Sequence, residues 1–310
     1  MRIGIDVGGT KIAIGLVDGT GRIVARRRIL TESWRGYGPI RDRILAGIDG
    51  MLREGGVSGE EVERIGVAAA GQVRGDRILF SPNLHWENAP LKADLERVTA
   101  IETFLENDVN AATYGEWKFG MAQGGAHVVG IFIGTGIGGG LIFDGRLYRG
   151  CSGVAGELGH ITLNPQGYRC NCGSTGCFEA YCGGAYVVDR VKKRIEQGYR
   201  GKVWDLISGR PEELHAGHIE AAYLEGDEVC TAVWKEVIEY LGVALQNLVN
   251  LLNPEVIICG GGVIEGARQL MEDARGVMEK RALSPSVADL RLEKARLGED
   301  AVILGVTCME

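Results

Sequence analysis

The chain has 310 residues, 45% of them hydrophobic and 24% charged, which is the balance of a globular protein and enough length for two domains. Its formal net charge of -7 and the lack of any long Lys/Arg block argue against the positive surface that nucleic acid or an anionic membrane requires. A small-molecule ligand is the expected partner, and the N-terminal run Met1-Arg2-Ile3-Gly4-Ile5-Asp6, with no signal- or transit-peptide pattern, predicts a cytoplasmic protein.

Three short β-branched runs, 3–7, 12–17 and 22–27, are separated by turn clusters and predict an antiparallel meander. The first turn belongs to Asp6-Val7-Gly8-Gly9-Thr10-Lys11. Glycines there let backbone amides approach phosphate oxygens, Thr10 offers a hydroxyl, Lys11 a positive charge, and Asp6 a carboxylate for the hydrated Mg²⁺ that accompanies a nucleotide. Ile40, Ile44, Leu45, Ile48, Met51 and Leu52 fall at helical spacing before Gly55-Gly56, and strands are expected at about 64–70 and 101–105. A helix over 108–118 begins with Asp108, a carboxylate that suits either an N-cap or a general base.

From Phe119 to Phe143 the sequence is uncharged, but nine glycines and a histidine break the continuity that a membrane span needs. It reads as hinge, strand and loop, with a second unit starting near Ala126. At an offset of 126, Ile5, Gly8, Asp18 and Gly19 recur as Ile131, Gly134, Asp144 and Gly145, which suggests an internal repeat. Gly134-Thr135-Gly136-Ile137-Gly138-Gly139 matches the dinucleotide fingerprint, with Glu157 near the expected acidic position. That fingerprint needs a following helix, whereas Leu141-Ile142-Phe143-Asp144-Gly145 reads as strand and turn, so a phosphate-binding hairpin is the expectation.

His160 and Cys170, Cys172 and Cys177 lie within eighteen residues and form a Cys₃His set suited to tetrahedral structural zinc. Cys182 is an alternative ligand, while Cys151, Cys230, Cys259 and Cys308 read as small core residues. Zinc on one ring nitrogen of His160 would leave the other for a ligand, with the carboxylates of Glu157 and Glu179 close by in sequence to accept sugar hydroxyls. Farther on, Trp234 to Leu252 carries a helical apolar stripe that Asn253-Pro254 ends, and strand 256–259 enters Gly260-Gly261-Gly262 and another helix.

Taken together, Asp6 to Lys11, Glu106-Asn107-Asp108-Val109-Asn110-Ala111-Ala112, Gly134 to Gly139, Gly156-Glu157-Leu158-Gly159-His160 and the cysteine segment resemble the repressor, open reading frame and kinase (ROK) family, over nearly the whole chain. The resemblance implies a two-domain α/β fold of the actin-like, ribonuclease-H type with an interdomain cleft. A small domain would span 1–118 with a C-terminal helix at about 298–310 returning to it, and a larger zinc-bearing domain 119–297. It implies ATP-dependent phosphorylation of the 6-hydroxyl of a hexose, glucose first, with Asp108 as base and Asn107 and Asp108 on sugar hydroxyls. Glu157, His160 and Glu179 would lie around the anomeric end, and Gly8 to Lys11, Gly134 to Gly136 and Gly260 to Gly262 around ATP. Gly71, where many relatives have a proline-glycine turn, and Asn83 belong to a sugar-side loop. A homodimer is expected. The competing expectations are an N-acetylhexosamine or fructose kinase, a sugar-sensing regulator, for which the strand starting at Ile3 leaves no preceding helix-turn-helix, and a dinucleotide oxidoreductase.

Overall fold

Strands β1 (Arg2–Val7), β2 (Lys11–Val17) and β3 (Ile23–Leu30) form the expected meander, with Ile3 opposite Leu16 and Ile5 opposite Ile14. The computed structural model describes residues 1–309, so position 310 of the expected C-terminal helix lies outside the described residues. Helix α1 (Tyr37–Gly55) buries Ile40, Ile44, Ile48 and Met51, the spaced apolar positions, and closes on Gly56 in the left-handed region. Strand β4 (Arg64–Ala69) runs parallel to β1. It is followed by a small antiparallel sheet of β5 (Gln72–Arg74), β6 (Arg77–Ser81) and β7 (Trp86–Ala89), which lies between the two strands expected from the sequence. These strands are short and half polar, with only Val73, Ile78, Ser81, Trp86 and Ala89 buried, so they carry little periodic signal. Helix α2 (Leu91–Thr99), strand β8 (Thr103–Asn107) and helix α3 (Asp108–Phe119) follow.

The second half begins with β9 (Val128–Ile133), β10 (Ile137–Phe143) and β11 (Arg146–Leu147). A strand, not a helix, therefore follows the Gly134–Gly136 turn, which removes the dinucleotide reading. Helices α4 (Phe178–Cys182), α5 (Gly184–Glu196), α6 (Lys202–Leu206), α7 (Ala216–Leu224) and α8 (Glu228–Leu252) come next. The apolar stripe of α8 is buried from Val229 to Val249, and Asn253 ends it in the left-handed conformation. Then come β12 (Val256–Gly260), α9 (Gly262–Gly266), α10 (Leu270–Arg281), α11 (Ser284–Val287), β13 (Arg291–Lys294) and α12 (Asp300–Cys308).

The two large sheets share one plan, β3-β2-β1-β4-β8 and β11-β10-β9-β12-β13. In each, the first strand sits centrally, its hairpin lies on one side, and two parallel strands lie on the other. This common order gives the repeat at offset 126 its structural counterpart.

Two compact units divide the described residues: Met1–Ala126 with Gly140–Gly156 and the residues from Arg296 on, and His127–Gly139 with Glu157–Ala295. In the first unit α12 lies against α3, covering Ala68, Ala111, Ala13 and Val17 with Val306, Met309, Ile303 and Leu304. The contact is backbone-close, since a Cβ at Gly305 would stand 1.8 Å from the Ala111 carbonyl oxygen and one at Gly115 2.1 Å from that of Ala301. No helix among the described residues is long and apolar enough to cross a membrane.

Candidate active site

In the first unit β8 ends at Asn107 and α3 starts at Asp108, so both side chains project from a strand-to-helix junction. Asn107 is the N-cap: its Oδ1 accepts from the amides of Val109 at 2.9 Å and Asn110 at 3.0 Å. The capping reading of Asp108 therefore goes to its neighbour. Asn107 Nδ2 donates to Asp108 Oδ1 and to the Gly71 carbonyl, both at 3.0 Å, and the Val109 amide also reaches Asp108 Oδ1 at 3.0 Å. Asp108 is thus oriented by its neighbours, and Gly71 of the β4–β5 turn is tied to the same junction.

Asp6, at the end of β1, has its carboxyl pushed up to about 7, chiefly by burial and next by the negative charge of Asp108, with Lys11 opposing. The turn it enters is closed by the Gly8 amide on the Lys11 carbonyl at 3.0 Å, and Thr31 clamps it through its hydroxyl to the Gly8 carbonyl at 2.6 Å and its amide to that of Thr10 at 2.9 Å. Gly9 backs onto exposed Asn83, whose carbonyl oxygen would stand 3.0 Å from a Cβ there. Lys11 pairs with Glu299, which also binds Arg28 and is held below the usual carboxylate range mainly by the Lys11 hydrogen bond. An exposed pair of this kind contributes little to stability.

In the second unit the Gly134 amide donates to the Gly136 carbonyl at 2.9 Å, and the carbonyls of Gly134 and Thr135 accept from Gly184 and Ala185 at the start of α5. Gly261 adopts a positive φ of 88°, and a Cβ there would stand 2.6 Å from the Ile133 carbonyl oxygen. The Gly260–Gly262 turn is therefore brought against the end of β9, beside the Gly134–Gly136 turn. Glu179 Oε2 accepts from the Ile137 amide at 2.8 Å.

Glu157 and His160 are exposed, the first capping and the second ending a single 3-10 turn, Leu158–His160, with the His160 amide donating to the Glu157 carbonyl. The donor atoms of His160, Cys170, Cys172 and Cys177 all lie within 4.8 Å of one another. His160 Nδ1 faces Cys170 Sγ at 3.8 Å, and Cys172 and Cys177 Sγ are 3.7 Å apart. A tetrahedron with Zn–S bonds of about 2.3 Å has edges of about 3.8 Å, so donor type and spacing both fit that ion. Burial pushes the Cys177 thiol up to about 12, while a backbone hydrogen bond at Ser174 lowers that of Cys172. Cys182 is not one of the four; it is buried in α4 with its Sγ on the Val237 carbonyl. Cys151, expected in the core, is exposed, and Cys308 is half-buried, whereas Cys230 and Cys259 are buried as expected.

Several contributors had no assigned role in the sequence. Buried Glu106 accepts from the Asn107 amide at 2.9 Å, Asn110 Nδ2 at 3.1 Å and Arg149 Nε at 2.7 Å. It lies within the Glu106-Asn107-Asp108 run, but its long-range partner leaves no local signal. Thr31, Glu299 and Tyr186, whose hydroxyl lies 3.7 Å from Cys170 Sγ, are equally non-local.

A family model described as "ROK family" matches residues 2–309. The glucokinase of Streptomyces coelicolor is 35% identical over 312 residues, covering 98% of this chain and 96% of that protein. The crystal structure of a ROK family glucokinase from Streptomyces griseus, in complex with glucose and AMPPNP, is 34% identical and superposes with a TM-score of 0.82, covering 99% of this chain and 97% of that one. A xylose repressor of Caldicellulosiruptor bescii is 32% identical over 247 residues, covering 79% of this chain and 61% of the repressor. With nearly its whole length matched and two mixed α/β units of the actin-like type, the chain belongs to the ROK family.

Proposed function

We propose that this hexose kinase transfers the γ-phosphoryl group of ATP to the 6-hydroxyl of glucose, with Asp108 as general base. The observation that carries the reading is the seat of Asp108, a carboxylate at a strand-to-helix junction, oriented by two N–H groups and electrostatically coupled to Asp6 beside a glycine turn. Full-length likeness to the Streptomyces glucokinases supports it, as do the glucose and AMPPNP bound by the Streptomyces griseus enzyme.

Asp108 accepts the proton of the 6-hydroxyl as that oxygen attacks the γ-phosphorus in line and ADP departs. The turns Gly8 to Lys11, Gly134 to Gly136 and Gly260 to Gly262 offer the phosphates backbone and almost no side-chain bulk. Magnesium, when bound, offsets phosphate charge, and Asp6 would hold it through its water shell; a half-buried carboxylate raised to about 7 beside a second one suits a cation. Zinc would be held by His160, Cys170, Cys172 and Cys177 and would fix the imidazole through one ring nitrogen, leaving the other free to bond a ligand.

To the sugar we also assign Asn107, Asn83, the Gly71 turn, Glu157 and Glu179. Carboxylates accept from hydroxyl donors, so an acetamido group at the 2-position loses an O–H donor and adds bulk, which favours glucose over N-acetylated hexoses.

ADP release over a panel of hexoses tests the reading, with glucose expected to give the highest kcat/KM. Asp108→Asn should keep the fold and glucose affinity while turnover falls about a hundredfold or more. Undiminished turnover in that variant would refute the base. Sugar binding with no ADP release from any hexose would instead favour a sensor, the reading that likeness to the xylose repressor supports.

A further inference from the structure

The metal-donor segment and the second glycine turn meet at one side chain. Glu179, in α4, directs Oε2 to the Ile137 amide at 2.8 Å, one residue past Gly134-Thr135-Gly136, while its Oε1 lies 3.8 Å from Cys170 Sγ. A Cβ at Gly136 would stand 2.3 Å from Glu179 Oε2, so the turn and the carboxylate occupy adjoining space with nothing between them. Two further links follow the same route. Gly159, the neighbour of His160, packs so that a Cβ would stand 2.3 Å from the Ile137 carbonyl oxygen. Helix α4 begins directly after Cys177 and leads into α5, whose first amides, Gly184 and Ala185, donate to the Gly134 and Thr135 carbonyls at 2.9 and 3.0 Å.

We propose that Glu179 is a positioning residue for the nucleotide, coupling the zinc site to the Gly134–Gly136 turn so that zinc retention and ATP binding reinforce each other. The proposal rests on the reading above that ATP phosphates lie on this turn and that zinc fills the Cys₃His set. A glycine turn has no side chains with which to hold itself, and ordering each residue costs about 1–2 kcal/mol, so its shape must be imposed from outside. A carboxylate on a backbone amide is a strong, charge-assisted way to impose it. With the four donors tied to one ion, the segment carrying Glu179 is fixed and the turn is ordered in advance. Without the ion, nucleotide binding must order both. Linkage then requires that the factor by which zinc raises ATP affinity equals the factor by which ATP raises zinc affinity.

The test uses the zinc-loaded full chain without sugar. Zinc affinity against a colorimetric chelator and AMPPNP affinity by calorimetry are measured for the wild type, Glu179→Ala, and Glu179→Gln, which keeps an acceptor oxygen for the Ile137 amide. Saturating AMPPNP is expected to tighten zinc about tenfold against the chelator at equilibrium in the wild type, zinc removal to weaken AMPPNP by a similar factor, Glu179→Ala to abolish both effects and Glu179→Gln to restore them in part. If Glu179→Ala does not fold, Gly136→Ala, whose Cβ displaces the carboxylate, should give the same loss. AMPPNP binding that leaves wild-type zinc affinity unchanged, or full tightening of zinc in Glu179→Ala, would overturn the coupling alone. No AMPPNP binding to the wild-type zinc protein would overturn the nucleotide reading and this proposal with it.

Discussion

A carboxylate raised to about 7 is one whose ionisation the fold resists, and Asp6 is in that position because burial and Asp108 both oppose its charge. Between its ordinary 3.8 and about 7 the folded chain holds a proton at Asp6 that the unfolded chain has released. This contribution to stability therefore falls as pH rises through that window, and the penalty is complete above it. A displacement of this size sets a ceiling of about 4 kcal/mol, which residual solvent contact should reduce to about 1–2 kcal/mol. In magnesium-free buffer, Asp6→Asn should be more stable than the wild type by that margin at pH 8 and nearly equal to it at pH 4, while losing activity. Equal denaturant midpoints at pH 8 would remove the electrostatic account. Arg149 makes the opposite case, because its guanidinium is a charged partner of buried Glu106. Arg149→Ala should cost about 2–3 kcal/mol in urea unfolding, since it removes the countercharge of a buried carboxylate and leaves its Oε2 without that donor. By contrast Arg53→Ala, which breaks an exposed pair with Asp49, should change stability by less than about 0.5 kcal/mol. Similar costs for the two would contradict the burial argument.

The contact of α12 with α3 has no slack, and glycine substitutions separate packing from propensity. Gly305→Ala puts a methyl group 1.8 Å from the Ala111 carbonyl and should destabilise by at least about 2 kcal/mol, whereas Gly276 in α10 faces open space and its change to alanine should add about 0.5–1 kcal/mol. Thermal unfolding of both variants is the check, and a stable Gly305→Ala would mean that the helices can part cheaply. The elements that the sequence announces are those with a long period or a sharp stop: the meander, α1, and α8 with its Asn253 cap. The β5–β7 sheet is silent because its strands have three to five residues and few buried side chains. At the candidate site, the Cys₃His set is legible because four soft ligands crowd eighteen residues. The Asn107 cap was hidden behind the more conspicuous Asp108, and the bonds from Glu106 to Arg149 and from Glu179 to Ile137 bridge 43 and 42 positions. Spacing along the chain carries no trace of such pairs.

At the scale of the molecule, the first unit is assembled from three separate stretches, and the last of them supplies the cover for its central strands. A chain ending at Ala295 would leave Ala13, Val17, Ala68 and Ala111 without Ile303, Leu304, Val306 and Met309. We expect such a chain to lose the cooperative unfolding of the first unit while the second unit, which ends at Ala295, keeps its own transition. Two unchanged calorimetric transitions would argue against this dependence. Glu116 reinforces the arrangement, accepting from the amides of Arg296 and Leu297, so that α3 grips the returning segment where it enters the unit. During translation this has a consequence of timing. Asp6 leaves the ribosome before Asp108, yet the platform beneath α3 is missing until α12 emerges. The second unit can fold while the first is still waiting, so the nascent chain carries Asp108 on an unfinished support until the residues beyond Arg296 have been made.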